Sequence, residues 1–218
     1  MMHFFADNHY DSFPGRHVYD GLAKDFEIAF HENEWATLEE GAWEKGCELL
    51  ILSMVGGTCG QPLPGPGAEA AVKRYCERGG NLLLLHASSA AFWQWNWWRG
   101  LVGLRWVRGE DPDGIPPSTH PRHAYKVIPS KSRHPIASRL KTMEFPDDEI
   151  FTDLEYTCPV FPLMETHIEE GIFVQVHEAC MPWGGKLIGF LPGHYPVATD
   201  DPVLHANVKI LIEYLKAT

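Results

Sequence analysis

Leu49 to Met54 is apolar at almost every residue, not at every second one, and Asn81 to Leu85 repeats the pattern. A strand with one wet face alternates polar and apolar side chains. A strand without alternation has to be covered on both faces, as in a parallel sheet. Between the two runs, Ala68 to Glu77 carries a helical pattern that stops at Arg78-Gly79-Gly80. The pattern extends to both sides. Met2 to Ala6 and Phe26 to Phe30 read as strands, Gly15 to Leu22 and Trp35 to Lys45 as helices. Alternating strand and helix over the first hundred residues predicts a parallel sheet with helices on both faces.

The second half is less regular. Gly109 to Pro121 is rich in Gly, Pro and Asp and reads as a long excursion. Tyr125 to Ile128, Ile150 to Tyr156, Val160 to Met164, Ile172 to Val176 and Lys186 to Phe190 are strand candidates, and Val203 to Leu215 closes the chain as an amphipathic helix. Ser88 and Ser89 are placed to cap a helix running through Trp98. No repeat, low-complexity tract or linker is visible, so residues 1–218 are expected to form one domain.

Composition narrows the function classes. A formal net charge of −11 and the lack of a Lys/Arg run argue against nucleic acid and anionic membranes as partners. No apolar stretch is long enough to span a bilayer, and Met1 to Tyr10 lacks the features of a signal peptide. Five scattered cysteines without a C-x-x-C pair suit reduced thiols, hence a cytoplasmic setting. The Gly56-Gly57-Thr58-Cys59-Gly60 loop lacks the Lys-Ser/Thr ending of a P-loop, and no nucleotide cofactor is expected.

Four stretches, in order, carry a resemblance. They are Gly79-Gly80-Asn81-Leu82-Leu83-Leu84-Leu85-His86, Leu101-Val102-Gly103-Leu104-Arg105-Trp106, His134-Pro135-Ile136 with Asp148-Glu149 and Phe151-Thr152, and Gly185-Lys186 to Gly193-His194. Together they resemble the ThuA (trehalose-utilisation) family. The resemblance implies a flavodoxin-like three-layer α/β sandwich with a mostly parallel central sheet, akin to class I glutamine amidotransferases. In those enzymes a strand–elbow–helix turn holds a nucleophilic cysteine and a late strand presents a histidine. By position His86 stands where the cysteine would be and His194 where the histidine would be. Amidotransfer by a Cys–His pair is therefore excluded.

His86 and His194 are expected to converge on one crevice at the strand ends, where open α/β sheets bind ligands. Paired imidazoles suit acid–base work and also zinc, manganese, iron or nickel. Glu149 is the candidate proton carrier and Asp148 a holder of substrate hydroxyls; Asp147 is expected to face solvent. His9, in the loop after the first strand, is a candidate for substrate binding and as a third metal ligand. His120, in the excursion, is placed to fold over the site, and Gly57 to bring backbone close to a ligand. Of the cluster Trp93, Trp95, Trp97 and Trp98, two or three are expected in the core or a homodimer surface and one, taken as Trp93, in the pocket wall. Cys59 is read as a bystander. The resemblance implies sugar catabolism. The expected activity is metal-assisted proton transfer beside the carbonyl of a keto-sugar or keto-glycoside, of isomerase, lyase or hydrolase type. The rival reading is a carbohydrate-binding or regulatory module without chemistry.

Overall fold

A computed structural model describes residues 1–8, 11–109 and 111–217. In chain order the elements are β1 (Met2–Ala6), α1 (Pro14–Leu22), β2 (Ile28–Glu32), α2 (Trp35–Glu40), β3 (Leu49–Ser53), α3 (Pro66–Glu77), β4 (Leu82–Leu85), α4 (Asn96–Arg99) and β5 (Leu104–Arg105), followed by β6 (Arg122–Pro129), β7 (Met143–Glu149), β8 (Glu155–Tyr156), β9 (Val160–Ile168), β10 (Gly171–Cys180), β11 (Lys186–Phe190), α5 (Pro196–Thr199) and α6 (Pro202–Lys216). Nine strands form one sheet in the order β2-β1-β3-β4-β11-β10-β9-β6-β7, and β5 pairs with β8.

The two apolar runs are β3 and β4, buried along their whole length and paired in parallel. Successive side chains of β1 serve opposite faces. Met2, Phe4 and Ala6 join the core under α1 and α6, whereas Phe5 joins the core under α3 and the tryptophan cluster. That two-sided burial is what the unbroken apolar runs require.

The sheet is mixed, which corrects the mostly parallel expectation. β2, β1, β3, β4 and β11 run parallel, but β10, β9, β6 and β7 add on antiparallel. Only Glu169 and Glu170 separate β9 from β10. A two-residue connection can only reverse the chain, so this pair has to be antiparallel. Four successive reversals from β11 to β7 leave β7 running in the same direction as β4 and β11. Its C-terminal end therefore reaches the end of the sheet where the elbow after β4 lies.

Three local expectations change. β7 precedes the expected strand at 150–156, of which only the two-residue β8 and a Thr119–Thr152 bridge remain. Pro146 disguises β7, yet β7 is an edge strand, where a missing N–H is tolerated. The helix expected through Trp98 is instead a 3-10 turn over His86–Ser89, then turns, then the short α4. Phe92 takes a left-handed φ of 55° that interrupts any helix, and its ring stacks on Trp95 at 3.8 Å. The helix expected over 35–45 breaks at Gly41, whose φ is 71°.

His177 on β10 is buried, and its ring packs where a side chain at Gly189 would stand. Its Nε2 donates to the Val102 carbonyl at 3.0 Å, and its Nδ1 has no partner among the described residues. Burial holds its pKa down at about 4. A folded-state pKa below the unfolded value of about 6.5 means the unfolded chain binds the extra proton first. Stability should therefore fall as pH drops from about 6.5 towards 4, by on the order of 3 kcal/mol from this residue. Urea unfolding at stepped pH should show that slope in the wild type and a shallower one in His177→Leu. Equal slopes would contradict the assignment.

Candidate functional site

β4 delivers His86 into a turn at φ 42°. A left-handed residue that is not glycine costs roughly 1–3 kcal/mol and is held there only by its surroundings. Here the holders are visible. The Ser88 hydroxyl accepts the Met54 N–H at 3.1 Å, tying the turn to β3. His86 Nδ1 lies 2.8 Å from the Leu191 carbonyl, tying it to the loop after β11. A carbonyl only accepts, so Nδ1 carries the proton, and in the neutral ring Nε2 then presents a lone pair.

That Nε2 lies 2.8 Å from His194 Nδ1. Glu149 completes the cluster. Its Oε2 is 3.5 Å from His194 Nδ1 and its Oε1 is 3.4 Å from His120 Nδ1. Nitrogen and carboxylate donors of His86, His194 and Glu149 all fall within 4.8 Å of one another. His86 and His194 are buried, and His120 reaches solvent. Sequence reasoning thus placed His86, His194, Glu149 and His120 in one site, and the structure brings them together. His9 lies outside the described residues.

The residues flanking Glu149 show how the strand sorts its side chains. Asp148 points the other way and is fully buried. Its carboxylate accepts the backbone N–H groups of Gly193 (2.9 Å), His194 (3.0 Å) and Tyr195 (3.1 Å). Burial pushes its pKa up, while the three N–H bonds pull the other way. Asp148 therefore shapes the His194 loop; it does not line the cavity, and the substrate-holding role expected for it has no surface to act on. Asp147, as expected, faces outward and pairs with Arg122. On the other side of the site, Asp7 accepts Val55 N–H (2.7 Å) and Gly56 N–H (3.0 Å) and holds the loop after β3 in the same manner.

The cluster opens into a cavity of about 600 Å³, walled by Trp106, Phe151 and Tyr195, with Thr58, Cys59 and Arg108 on its remaining sides. Trp106 supplies the aromatic wall that was expected of Trp93. Trp93 is 53% exposed and stands outside the wall, with Arg108 over its ring at 5.8 Å. Trp95 and Trp98 are core, as expected of two of the four. Gly57, φ 78°, packs against Leu63 and Trp93 at the rim and not on the cavity wall. Cys59, read as a bystander, is on the wall. Trp106 and Arg108 were missed because the long stretch between β5 and β6 that carries them has no periodicity. Its placement depends on ion pairs: Arg105 with Asp111 (2.6 Å) and Glu155 (2.5 Å), and Arg99 with Glu155 (3.0 Å) and Asp113. The Arg105 hydrogen bond holds the Asp111 carboxyl below its usual range.

A profile of the ThuA family, described as trehalose utilisation, matches residues 17–209. The chain belongs to the ThuA family. A ThuA-like protein from Parabacteroides merdae shares its fold with a TM-score of 0.76 at 14% identity, over 99% of this chain and 90% of that one. A ThuA-like protein from Bacteroides uniformis gives 0.70 at 13%, over 98% and 91%. A glutamine amidotransferase from Thermotoga maritima gives 0.55 at 12%, over 100% and 99%. No curated protein sequence matches the chain with significance. At these identities the structures establish the fold, and this ThuA chain has the amidotransferase-like fold with a histidine at the elbow.

Asp148→Asn tests the loop clamp. Asparagine keeps one acceptor oxygen but turns an NH2 group towards a buried N–H. The expected cost is about 1–3 kcal/mol in urea unfolding. An unchanged midpoint would show that the three backbone bonds do not hold the His194 loop.

Proposed function

We propose that this chain is a carbohydrate enzyme that moves protons beside a substrate carbonyl, with a divalent transition metal held by His86 Nε2, His194 Nδ1 and the Glu149 carboxylate. One observation carries the reading: three donors of the right chemistry lie within 4.8 Å at the edge of a ligand-sized cavity. Two imidazoles and a carboxylate form a donor set used by zinc, manganese, iron and nickel. The Leu191 carbonyl on His86 Nδ1 supports the same reading, because metal-ligating histidines usually donate their second N–H to such a group. The family's trehalose-utilisation description supports a sugar, here a keto-sugar or keto-glycoside.

When bound, the ion would supply Lewis acidity to the carbonyl. The protein's own groups do the rest. The Glu149 Oε1, on the His120 side and away from the histidine pair that Oε2 faces, takes the proton from the carbon next to the carbonyl and delivers it to the former carbonyl carbon in an isomerisation, or to the leaving oxygen in an elimination. Trp106, Phe151 and Tyr195 stack on sugar C–H faces and keep water away. The outcome is isomerisation, or elimination if a glycosidic oxygen leaves from the next carbon and takes up the proton; net hydrolysis requires a water to enter afterwards and add across the double bond so formed.

One distance favours a second, metal-free reading. Two ligands on a tetrahedral zinc with bonds of about 2.0 Å stand roughly 3.3 Å apart. The 2.8 Å between His86 Nε2 and His194 Nδ1 is instead a hydrogen-bond length, with His194 donating. Metal binding requires His194 to shift its proton to Nε2 and the rings to part by a few tenths of an ångström.

Zinc and manganese titration calorimetry, with elemental analysis of unchelated protein, separates the readings. The metal reading expects about one equivalent in the wild type, lost in the His86→Ala/His194→Ala double variant and weakened in Glu149→Gln. No binding in the wild type would remove the Lewis-acid step. It would leave the histidine pair and Glu149 as metal-free acid–base groups, or the pocket as a binding module.

A further inference from the structure

The cavity is polar on one side of His86 and apolar on the other. Glu149, His194 and His120 stand together on the polar side. His86 joins the two sides, bonded to His194 and followed in the chain by Ala87. On the apolar side the lining is Val55, from the loop after β3, and Ala87 and Ala90, from the turn after β4. Arg108 ties these two segments together: its Nη2 donates to the Ala90 carbonyl at 2.7 Å and to the Val55 carbonyl at 3.5 Å. Trp106 spans the sides. Its backbone N–H donates to the Ser89 carbonyl at 3.1 Å, and its ring centre lies 5.3 Å from that of His120.

The apolar side is poor in hydrogen-bonding groups at the level of the backbone as well. Val55, Ala87 and Ala90 carry no polar side-chain atom. The Val55 and Gly56 N–H groups are engaged by Asp7, at 2.7 and 3.0 Å, and the Gly57 N–H by the Pro62 carbonyl, at 3.0 Å. The Ala90 N–H is engaged by the Ala87 carbonyl at 2.8 Å. The Val55, Ser89 and Ala90 carbonyls already accept from Arg108 and Trp106. A sugar ring carries hydroxyls around its edge, and a hydroxyl buried without a partner costs free energy. An aromatic ring needs no such partner and gains by leaving water. A ligand that fits both sides therefore has a hydroxyl-bearing part against His194, Glu149 and His120 and a flat apolar part against Val55, Ala87 and Ala90, with the Trp106 indole beside it.

We propose that the cavity takes an aryl glycoside, a sugar whose aglycone is an aromatic ring seated on Val55, Ala87 and Ala90. The inference rests on the reading of this cavity as a carbohydrate site and narrows its substrate class. The volume of about 600 Å³ has room for both rings. A second sugar ring would fit by size, but its hydroxyls would meet the side of the cavity least able to serve them.

The test is calorimetry with three probes that share one sugar and differ in the aglycone: methyl β-D-glucoside, phenyl β-D-glucoside and cellobiose. Phenyl glucoside should bind the wild type about tenfold or more tightly than methyl glucoside. Cellobiose should gain no such advantage. Ala90→Leu fills the apolar side and should bring the phenyl-to-methyl ratio close to one. Val55→Thr is isosteric but adds a hydroxyl, and should lower the ratio about fivefold; it guards against a folding defect in the leucine variant. Equal affinity for the phenyl and methyl glucosides, cellobiose bound as tightly as phenyl glucoside, or a phenyl preference that survives both substitutions would each overturn the proposal. The pattern of failure separates it from the reading it rests on. Methyl glucoside or cellobiose bound without a phenyl preference sinks the aryl aglycone alone. No binding of any of the three sinks the carbohydrate site and the aglycone with it. A phenyl preference without zinc binding leaves the aryl glycoside and sinks the metal.

Discussion

A single hydrogen bond, from His86 Nδ1 to the Leu191 carbonyl, decides what the site can do. It joins the end of β4 to the end of β11, neighbours in the sheet. It holds a non-glycine residue at φ 42° in a turn that would otherwise relax. It also assigns the tautomer. With Nδ1 committed as donor, the neutral ring presents its Nε2 lone pair to His194. Reversing the tautomer would set an N–H against whatever His194 donates and would abolish a ligand atom at one stroke.

Around that bond the fold repeats one device. A buried carboxylate at a strand end accepts consecutive backbone N–H groups and fixes the loop opposite. Asp7 does this for Val55 and Gly56, and Asp148 for Gly193, His194 and Tyr195. Charge-assisted bonds of this kind are among the stronger ones available to a loop. The third wall, the excursion, is fixed instead by the Arg99, Arg105, Asp111 and Glu155 ion pairs. The cavity is thus framed by groups that never line it, apart from backbone, while His86, His194, Glu149 and Arg108 are among the residues that do.

The parallel half of the sheet was legible because β3 and β4 are unbroken apolar runs, which have few other solutions. The convergence of His86 and His194 was legible because His86 directly follows β4 and His194 lies in the loop after β11, strands that end at the same edge. Glu149 stands beside the histidines where it was expected, but its neighbour Asp148 is buried away from the cavity. Which of two adjacent acids faces the cavity depends on the phase of β7, and Pro146 hid that strand. The antiparallel half was not read from the sequence: the strand candidates 160–164 and 172–176 leave a long gap between them, and the two-residue Glu169-Glu170 connection that forces the reversal emerges only with the full lengths of β9 and β10. Trp106 and Arg108 were out of reach, because partners up to 56 residues distant, such as Glu155 for Arg99, place their segment. Trp93 was taken for the wall from its own cluster, because nothing local separates an exposed tryptophan from one that walls a pocket.

The central claim is that the protein presents His86 Nε2 as a lone pair. Long-range proton–nitrogen correlation spectra of the uniformly labelled protein, with His86→Gln to assign the resonance, read this directly at pH 7.5. The account predicts the Nδ1–H tautomer for His86, with its Nε2 shifted as an unprotonated ring nitrogen. An Nε2–H tautomer, or a doubly protonated ring, would contradict it and take both the metal and the acid–base readings of the site with it.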